Sequence, residues 1–129
     1  MFVTQLLEGE AGFLGVVELG DPVPFTVKRI YWLFGTPQSA TRGLHAHKTL
    51  EQVIVPIQGS VRVVLDDART TSTHNLSLGS PPLHIGPGTW RVLDEFSQDC
   101  VLLVLASDLY DASDYIHDHT EFVEWRRSC

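Results

Sequence analysis

The sequence predicts an all-β protein, an antiparallel barrel or jelly roll with one short helix at its C-terminal end. Three observations carry that prediction. Runs of strand length are rich in β-branched and aromatic residues, and their apolar period is two rather than 3.6. Glycine- and proline-bearing turn signals separate those runs at close spacing. Helical periodicity is confined to the stretch that begins at Asp111.

In chain order, the strand candidates are "PFTVKRIYWLF" (24–34), "EQVIVPI" (51–57), "SVRVVLD" (60–66), "TWRVLDEF" (89–96) and "CVLLVLAS" (100–107). Turns are expected at Gly35-Thr36-Pro37, Gln58-Gly59, Asp66-Asp67, Gly79-Ser80-Pro81-Pro82 and Gly86-Pro87-Gly88. "VIVPIQGSVRVVL" reads as a hairpin around Gln58-Gly59. Pro56 within it has no N–H to give to a ladder, so it belongs at an edge or a bulge. In "DASDYIHDHTEFVEWRR", Tyr115, Ile116, His119, Phe122, Val123 and the stem of Arg126 follow helix spacing, with Asp111 or Ser113 as the N-cap.

The 129 residues suffice for one domain, 1–129, with its own core and no staples. Cys100 and Cys129 have no framework spacing and read as reduced thiols of a cytoplasmic protein. The N-terminal "MFVTQLLEGEAG" lacks the basic start of a signal peptide, and no apolar run reaches the roughly 20 residues of a membrane span. A net charge of −7 argues against nucleic acid as a partner. Nine carboxylates lie between Asp94 and Glu124, a density that reads as a solvated face. An anionic ligand would have to be met by local bases, for which Lys28, Arg29, Arg42 and Lys48 are candidates.

The chemistry points to "RGLHAHK" (42–48). In a strand, residues i and i+2 share a face, so His45 and His47 project side by side and Ala46 faces away. Arg42, next to a glycine, can bring a fixed positive charge to the same rim. His74, His84, His117 and His119 are expected to be surface or packing residues.

Three readings of the pair stand side by side. They can be structural. They can be metal ligands, because His45, His47 and Glu51 form H-x-H-x3-E, the first half of a cupin metal motif. That site is one ligand short: "IGPGTWRVLDEF" offers Trp90 and Arg91 where a third histidine is wanted, and His84 precedes the turn. Glu51 reads rather as an exposed charge at a strand start. Finally, they can move protons without a metal, taking one from a carbon and returning it to the neighbouring carbon. Trp90 would then be an apolar wall, or plain core. Arg91 would be a phosphate partner, or a surface ion pair with the nearby acids.

Beyond these residues, the chain resembles the sugar 3,4-ketoisomerases, a family of small cupins also called WxcM-like or FdtA/QdtA-type. The resemblance rests on "PFTVKRIYWLFG", "RGLHAHKTLEQVIVPIQGSVRVVLDD", "LHIGPGTWRVLDEFSQDCVLLVLASDLYDASDYI" and "HDHTEFV", in order from Pro24 to Val123. It implies a cupin-type jelly-roll homodimer with N-terminal strands shared across the interface, no cofactor and no catalytic metal. The hydrophobic "MFVTQLL" at the N-terminus would find its partner there. It implies an enzyme that moves the keto group of dTDP-4-keto-6-deoxyglucose from C4 to C3 through an enediol. On this sequence it makes His45 and His47 the acid/base pair and puts Arg42, Trp90, Arg91 and Tyr31 toward the substrate. Two positions depart from the family pattern, Phe34 and Gln38, where a tyrosine and an arginine often stand. They keep a non-catalytic nucleotide-sugar binding module among the alternatives, beside a metal-dependent cupin.

Overall fold

The computed structural model describes residues 5–20 and 23–129. Met1 to Thr4, the start of "MFVTQLL", lie outside them.

Two antiparallel sheets face each other. One has the order β3 (Arg29–Leu33), β10 (Val101–Ala106), β5 (Gln52–Gln58) and β8 (Leu83–Ile85). The other runs β11 (Tyr115–Ile116), β4 (Arg42–His47), β9 (Trp90–Asp94), β6 (Ser60–Asp66) and β7 (Thr71–Ser77). A separate hairpin, β1 (Gln5–Gly9) with β2 (Gly12–Val16), precedes them. The helix α1 (His119–Arg127) follows. The expected jelly roll with a C-terminal helix is therefore present, as two facing sheets rather than one hydrogen-bonded cylinder.

The core lies between the sheets. Ile54, Leu102 and Val104 from one meet Val61, Val63 and Leu93 from the other. Burying each such side chain stabilises by roughly 1.5–3 kcal/mol. The unbroken apolar run of β10 has a simple cause. Leu102 and Val104 face this core, while Leu105 packs on the far side of the same sheet with Val23, Val53 and Val55. A strand covered on both faces needs no alternation. Pro56 sits where β5 tolerates it. The ladder with β10 bulges between Val101 and Leu102, opposite Pro56, and β8 pairs only with Gln52 to Ile54.

Two expectations are corrected. The residues around Gln58-Gly59 do not form a hairpin, because β5 and β6 belong to different sheets. Gly59 is instead the corner at which the chain passes from one sheet to the other. Its φ is +71°, and a Cβ there would collide with the Ser97 hydroxyl. The hairpin is one step later, β6 with β7, around a turn in which the Asp67 carboxylate accepts from the backbone N–H groups of Arg69 and Thr70.

The tail is also not one helix. Asp111 caps only a single 3₁₀ turn, Ala112–Asp114. Tyr115 and Ile116 then pair with β4, and α1 begins after Asp118, whose side chain accepts from the Glu121 N–H. Ile116 still reaches the same apolar cluster as the helix, with Ala46, Trp90 and Phe122. Both the helix spacing and the strand-then-helix solution bury Ile116 and Phe122, but the strand turns Tyr115 to the opposite face and His119 stays exposed.

Candidate active site

The site is organised by an irregularity in β4. Arg42 pairs with Leu93 and His45 with Arg91, so the strand carries one residue more than β9 between those points. Gly43 and Leu44 take φ values of +83° and +55°. A bulge of this kind shifts the alternation by one residue. Regular pleating would set Arg42 and His45 on opposite faces; the bulge turns both toward the space between the sheets. Glycine is required at 43 for a second reason, since a Cβ there would sit 2.8 Å from the carbonyl oxygen of Arg91.

That space is a cavity of about 280 Å³ at one end of the sandwich. Leu33, Ile54, Leu93 and Val104 form its apolar floor. Three guanidinium groups line it, those of Arg29, Arg42 and Arg91, together with Tyr31, Tyr110 and Tyr115. Among the described residues it has no carboxylate in its wall, in a chain whose net charge is −7. The local field favours an anion.

His45 lies on this wall with its Nδ1 2.9 Å from the Gly43 carbonyl oxygen. The ring of His47 stands edge-on to it, centroids 4.9 Å apart, and Tyr115 packs against both at 5.0 and 4.3 Å. His47 is buried, and neither of its ring nitrogens has a hydrogen-bond partner among the described residues. Its Nδ1 is 3.7 Å from Asp114, whose carboxylate accepts from the N–H groups of Thr49 and Leu50 and from the Thr49 hydroxyl. Burial, then the charge of Arg91, holds His45 down to about 4. The same two causes, with His45, Arg29 and His117 adding to them, take His47 to about 3. Both rings are neutral at physiological pH, the form in which imidazole accepts a proton.

Arg91 is also buried, which lowers it to about 10 and leaves it charged. It donates to the Gln52 side-chain oxygen and, at 3.1 Å, to the Thr89 carbonyl. Gln52 in turn donates to the Tyr31 hydroxyl at 2.6 Å. Burial raises the Tyr31 phenol, so it keeps its proton. Arg29 stands over the Tyr31 ring, 5.0 Å from its centroid.

Of the residues singled out in the sequence, the fold brings His45, Arg42, Arg91 and Tyr31 to the cavity wall, with His47 behind His45. Trp90 is not among them. On β9 it alternates with Arg91, so it faces away from the cavity and packs on His119 and Phe122 beneath α1. Glu51 also points elsewhere: its carboxylate is 2.9 Å from His84 Nε2. Because Gln52 is the inward residue of that strand, the H-x-H-x3-E spacing does not assemble a three-ligand cluster. Phe34, 67% exposed, and Gln38 do not line the cavity. Lys28 is paired with Asp108, and Lys48 is exposed. Arg91 is not a surface ion pair; Arg62 takes Asp94 through two contacts of 2.8 Å.

The sequence reading missed Gln52, Tyr110 and Tyr115. A glutamine within "EQVIVPI", on the inward phase with Ile54, is a polar residue where burial is expected, and that was the available signal. Tyr115 gave none, since its spacing matched the helix.

Comparison with known proteins agrees with this architecture. Residues 2–127 match the family described as FdtA: WxcM-like, C-terminal. The TDP-4-oxo-6-deoxy-alpha-D-glucose-3,4-oxoisomerase of Aneurinibacillus thermoaerophilus is 43% identical over 114 residues, 88% of this chain and 82% of that protein. A 3,4-ketoisomerase from Helicobacter canadensis superposes with a TM-score of 0.90 at 38% identity, covering 97% of this chain and 94% of the other. A variant of the 3,4-ketoisomerase QdtA from Thermoanaerobacterium thermosaccharolyticum, in complex with TDP-4-keto-6-deoxyglucose, superposes with a TM-score of 0.92 at 33% identity over 98% and 91% of the two chains.

Proposed function

The chain belongs to the FdtA family of WxcM-like, C-terminal proteins, and we infer from that membership and from the cavity that it is a sugar 3,4-ketoisomerase acting on dTDP-4-keto-6-deoxyglucose. The C4 carbonyl acidifies the hydrogen on C3. A base removes it, the electron pair moves to the C4 oxygen to give an enediol(ate), the C3 hydroxyl proton passes to the C4 oxygen, and a proton is returned at C4 as the C3 oxygen becomes the ketone. Atoms balance without a redox partner.

One observation carries the assignment of the base. A backbone carbonyl can only accept, so His45 Nδ1, 2.9 Å from the Gly43 oxygen, holds the ring's hydrogen. Neutral His45 therefore offers Nε2 as a lone pair at the cavity wall. His47 is the second member of the pair. It is buried, neutral and edge-on to His45, with ring nitrogens free of protein partners among the described residues. Arg91 faces the developing oxyanion with a charge that has no carboxylate beside it among the described residues, a placement worth more in a dry cavity than in water. Arg42 and Arg29 suit the pyrophosphate at the rim. The metal-dependent alternative loses support from the engagement of Glu51 by His84.

A second copy of the chain is the proposed partner. The β1–β2 hairpin and the outer side of the β3–β10–β5–β8 sheet border an apolar cleft of about 590 Å³. Phe13, Leu19, Ile30 and Ile57 are exposed along it. Among the described residues, no helix is long and apolar enough to cross a membrane. The two unpaired thiols, Cys100 in the core and Cys129 at the exposed end, suit a reducing compartment such as the cytoplasm.

The test is incubation with dTDP-4-keto-6-deoxyglucose in deuterated buffer. NMR should find a 3-keto product and solvent deuterium at the exchanging carbon. Recovery of unexchanged substrate would refute the assignment.

A further inference from the structure

We propose that Gln52 is a positioning residue that fixes the Tyr31 hydroxyl as a hydrogen-bond donor to the substrate oxygen. The inference rests on the ketoisomerase reading and adds a group to it.

It follows from what each partner can offer. Guanidinium has donors only, so the side-chain oxygen of Gln52 must be the atom that meets Arg91. That leaves the amide NH₂ for Tyr31, 2.6 Å away, and an NH₂ can only donate. The Tyr31 oxygen is thereby an acceptor from Gln52, and its own hydrogen must point elsewhere. Tyr31 lines the cavity. Among the described residues the Tyr31 hydroxyl has no hydrogen-bond partner other than Gln52, and the guanidinium groups of Arg29 and Arg91 near it cannot accept a hydrogen. The phenolic hydrogen is directed into the space the sugar would fill.

Arg91 thus does two things. It supplies charge, and through the amide of Gln52 it dictates the polarity of a neutral donor on β3. A donor aimed at an oxygen that gains charge only during reaction acts on turnover more than on binding. Gln52 is buried and meets Arg91 and Tyr31 at once, so its orientation is set by both.

Gln52→Glu is the informative variant. It keeps the contact with Arg91, but its carboxylate can only accept, so the Tyr31 hydrogen turns inward and is lost to the substrate. Steady-state kinetics with dTDP-4-keto-6-deoxyglucose would compare wild type, Gln52→Glu, Tyr31→Phe and the double variant, with TDP affinity measured by calorimetry as a control for folding. Each single variant is expected to lower kcat by about 10²-fold with KM changed less than about threefold. In the double variant the Tyr31 share of the loss should vanish, leaving only what the new carboxylate takes from the charge of Arg91. Gln52→Met, which can neither donate nor reverse Tyr31, should give a smaller loss that also vanishes in the Tyr31→Phe background. Losses that multiply in the Gln52→Met and Tyr31→Phe double variant, a Gln52→Glu enzyme with wild-type kcat, or an effect on KM alone would overturn the proposal. Absence of turnover by the wild-type protein would instead refute the ketoisomerase reading itself.

Discussion

His45 Nδ1 is held 2.9 Å from the carbonyl oxygen of Gly43, within the bulge of its own strand. The orienting group of the base and the base itself are thus two residues apart. The positive φ of Gly43 belongs to the same irregularity that brings Arg42 onto the wall of His45. "RGLH" therefore encodes a charge, a bend, an extra residue and an oriented imidazole in one segment.

Replacement of His45 by asparagine should remove the Nε2 lone pair from the cavity wall without disturbing the core. Exchange of the C3 hydrogen with solvent deuterium is expected to fall by at least about 10²-fold, with TDP binding by calorimetry retained. Asparagine at His47 should also cut turnover, and it should additionally lower the denaturation midpoint because that ring is buried. Full exchange in the His45 variant would eliminate it as the base.

The depressed histidines give a signed pH dependence. In the unfolded chain both rings titrate near 6.5, whereas in the fold they titrate at about 4 and about 3. Below pH 6.5 the unfolded chain consequently binds more protons than the folded one, and stability falls as pH drops through that window toward 3. Each ring adds a slope of up to about 1.4 kcal/mol per pH unit, and neither contributes above pH 7. The charged and titratable groups facing His47 are Arg91, Arg29, His45 and His117, with Asp114 at 3.7 Å. Urea midpoints measured from pH 3.5 to 8 should decline less steeply on the acid side in His47→Gln than in wild type. The acid limb of kcat/KM should lie nearer pH 4 than pH 6.5; a limb at 6.5 would mean solvated rings.

Gly43→Ala tests the bulge. Alanine at φ +83° is strained, and its Cβ would meet the Arg91 carbonyl at 2.8 Å. The expected loss is about 1–2 kcal/mol from backbone conformation alone, read as a shifted denaturation midpoint. Activity should fall further than stability explains, because the shift displaces the oxygen that orients His45. An alanine enzyme with wild-type stability and turnover would show that the bulge is incidental.

How far the sequence could be read depended on what each signal reports. Period-two runs reported strands well: "SVRVVLD" is β6 to the residue, since turn residues bracket it on both sides. They could not report which sheet a strand joins, which is why Gln58-Gly59 looked like a hairpin and proved to be a corner. The histidine pair was legible because i and i+2 share a face whatever the sheet. Gln52 was not singled out, because its importance lies in two partners distant in sequence, Tyr31 and Arg91. Tyr115 was hidden by a coincidence of spacing. A strand pair followed by a capped helix buries Ile116 and Phe122 as one longer helix would, but sends Tyr115 to the cavity.

Trp90 separates packing from substrate contact most cleanly. It is 7% exposed, edge-on to His119 at 5.1 Å and tilted on Phe122 at 5.8 Å, on the face of β9 opposite Arg91. A tryptophan in that position joins the helix to the sheet and cannot touch a sugar bound between the sheets. Trp90→Phe should therefore lower stability by roughly 1–3 kcal/mol through the cavity it leaves, with KM and kcat unchanged at a temperature where the variant is fully folded. Phe122→Ala, at the centre of the same cluster, should cost about 3–5 kcal/mol with the same kinetic silence. A rise in KM for Trp90→Phe with unaltered denaturation would restore the tryptophan to the binding site and would require β9 to present its other face to the cavity.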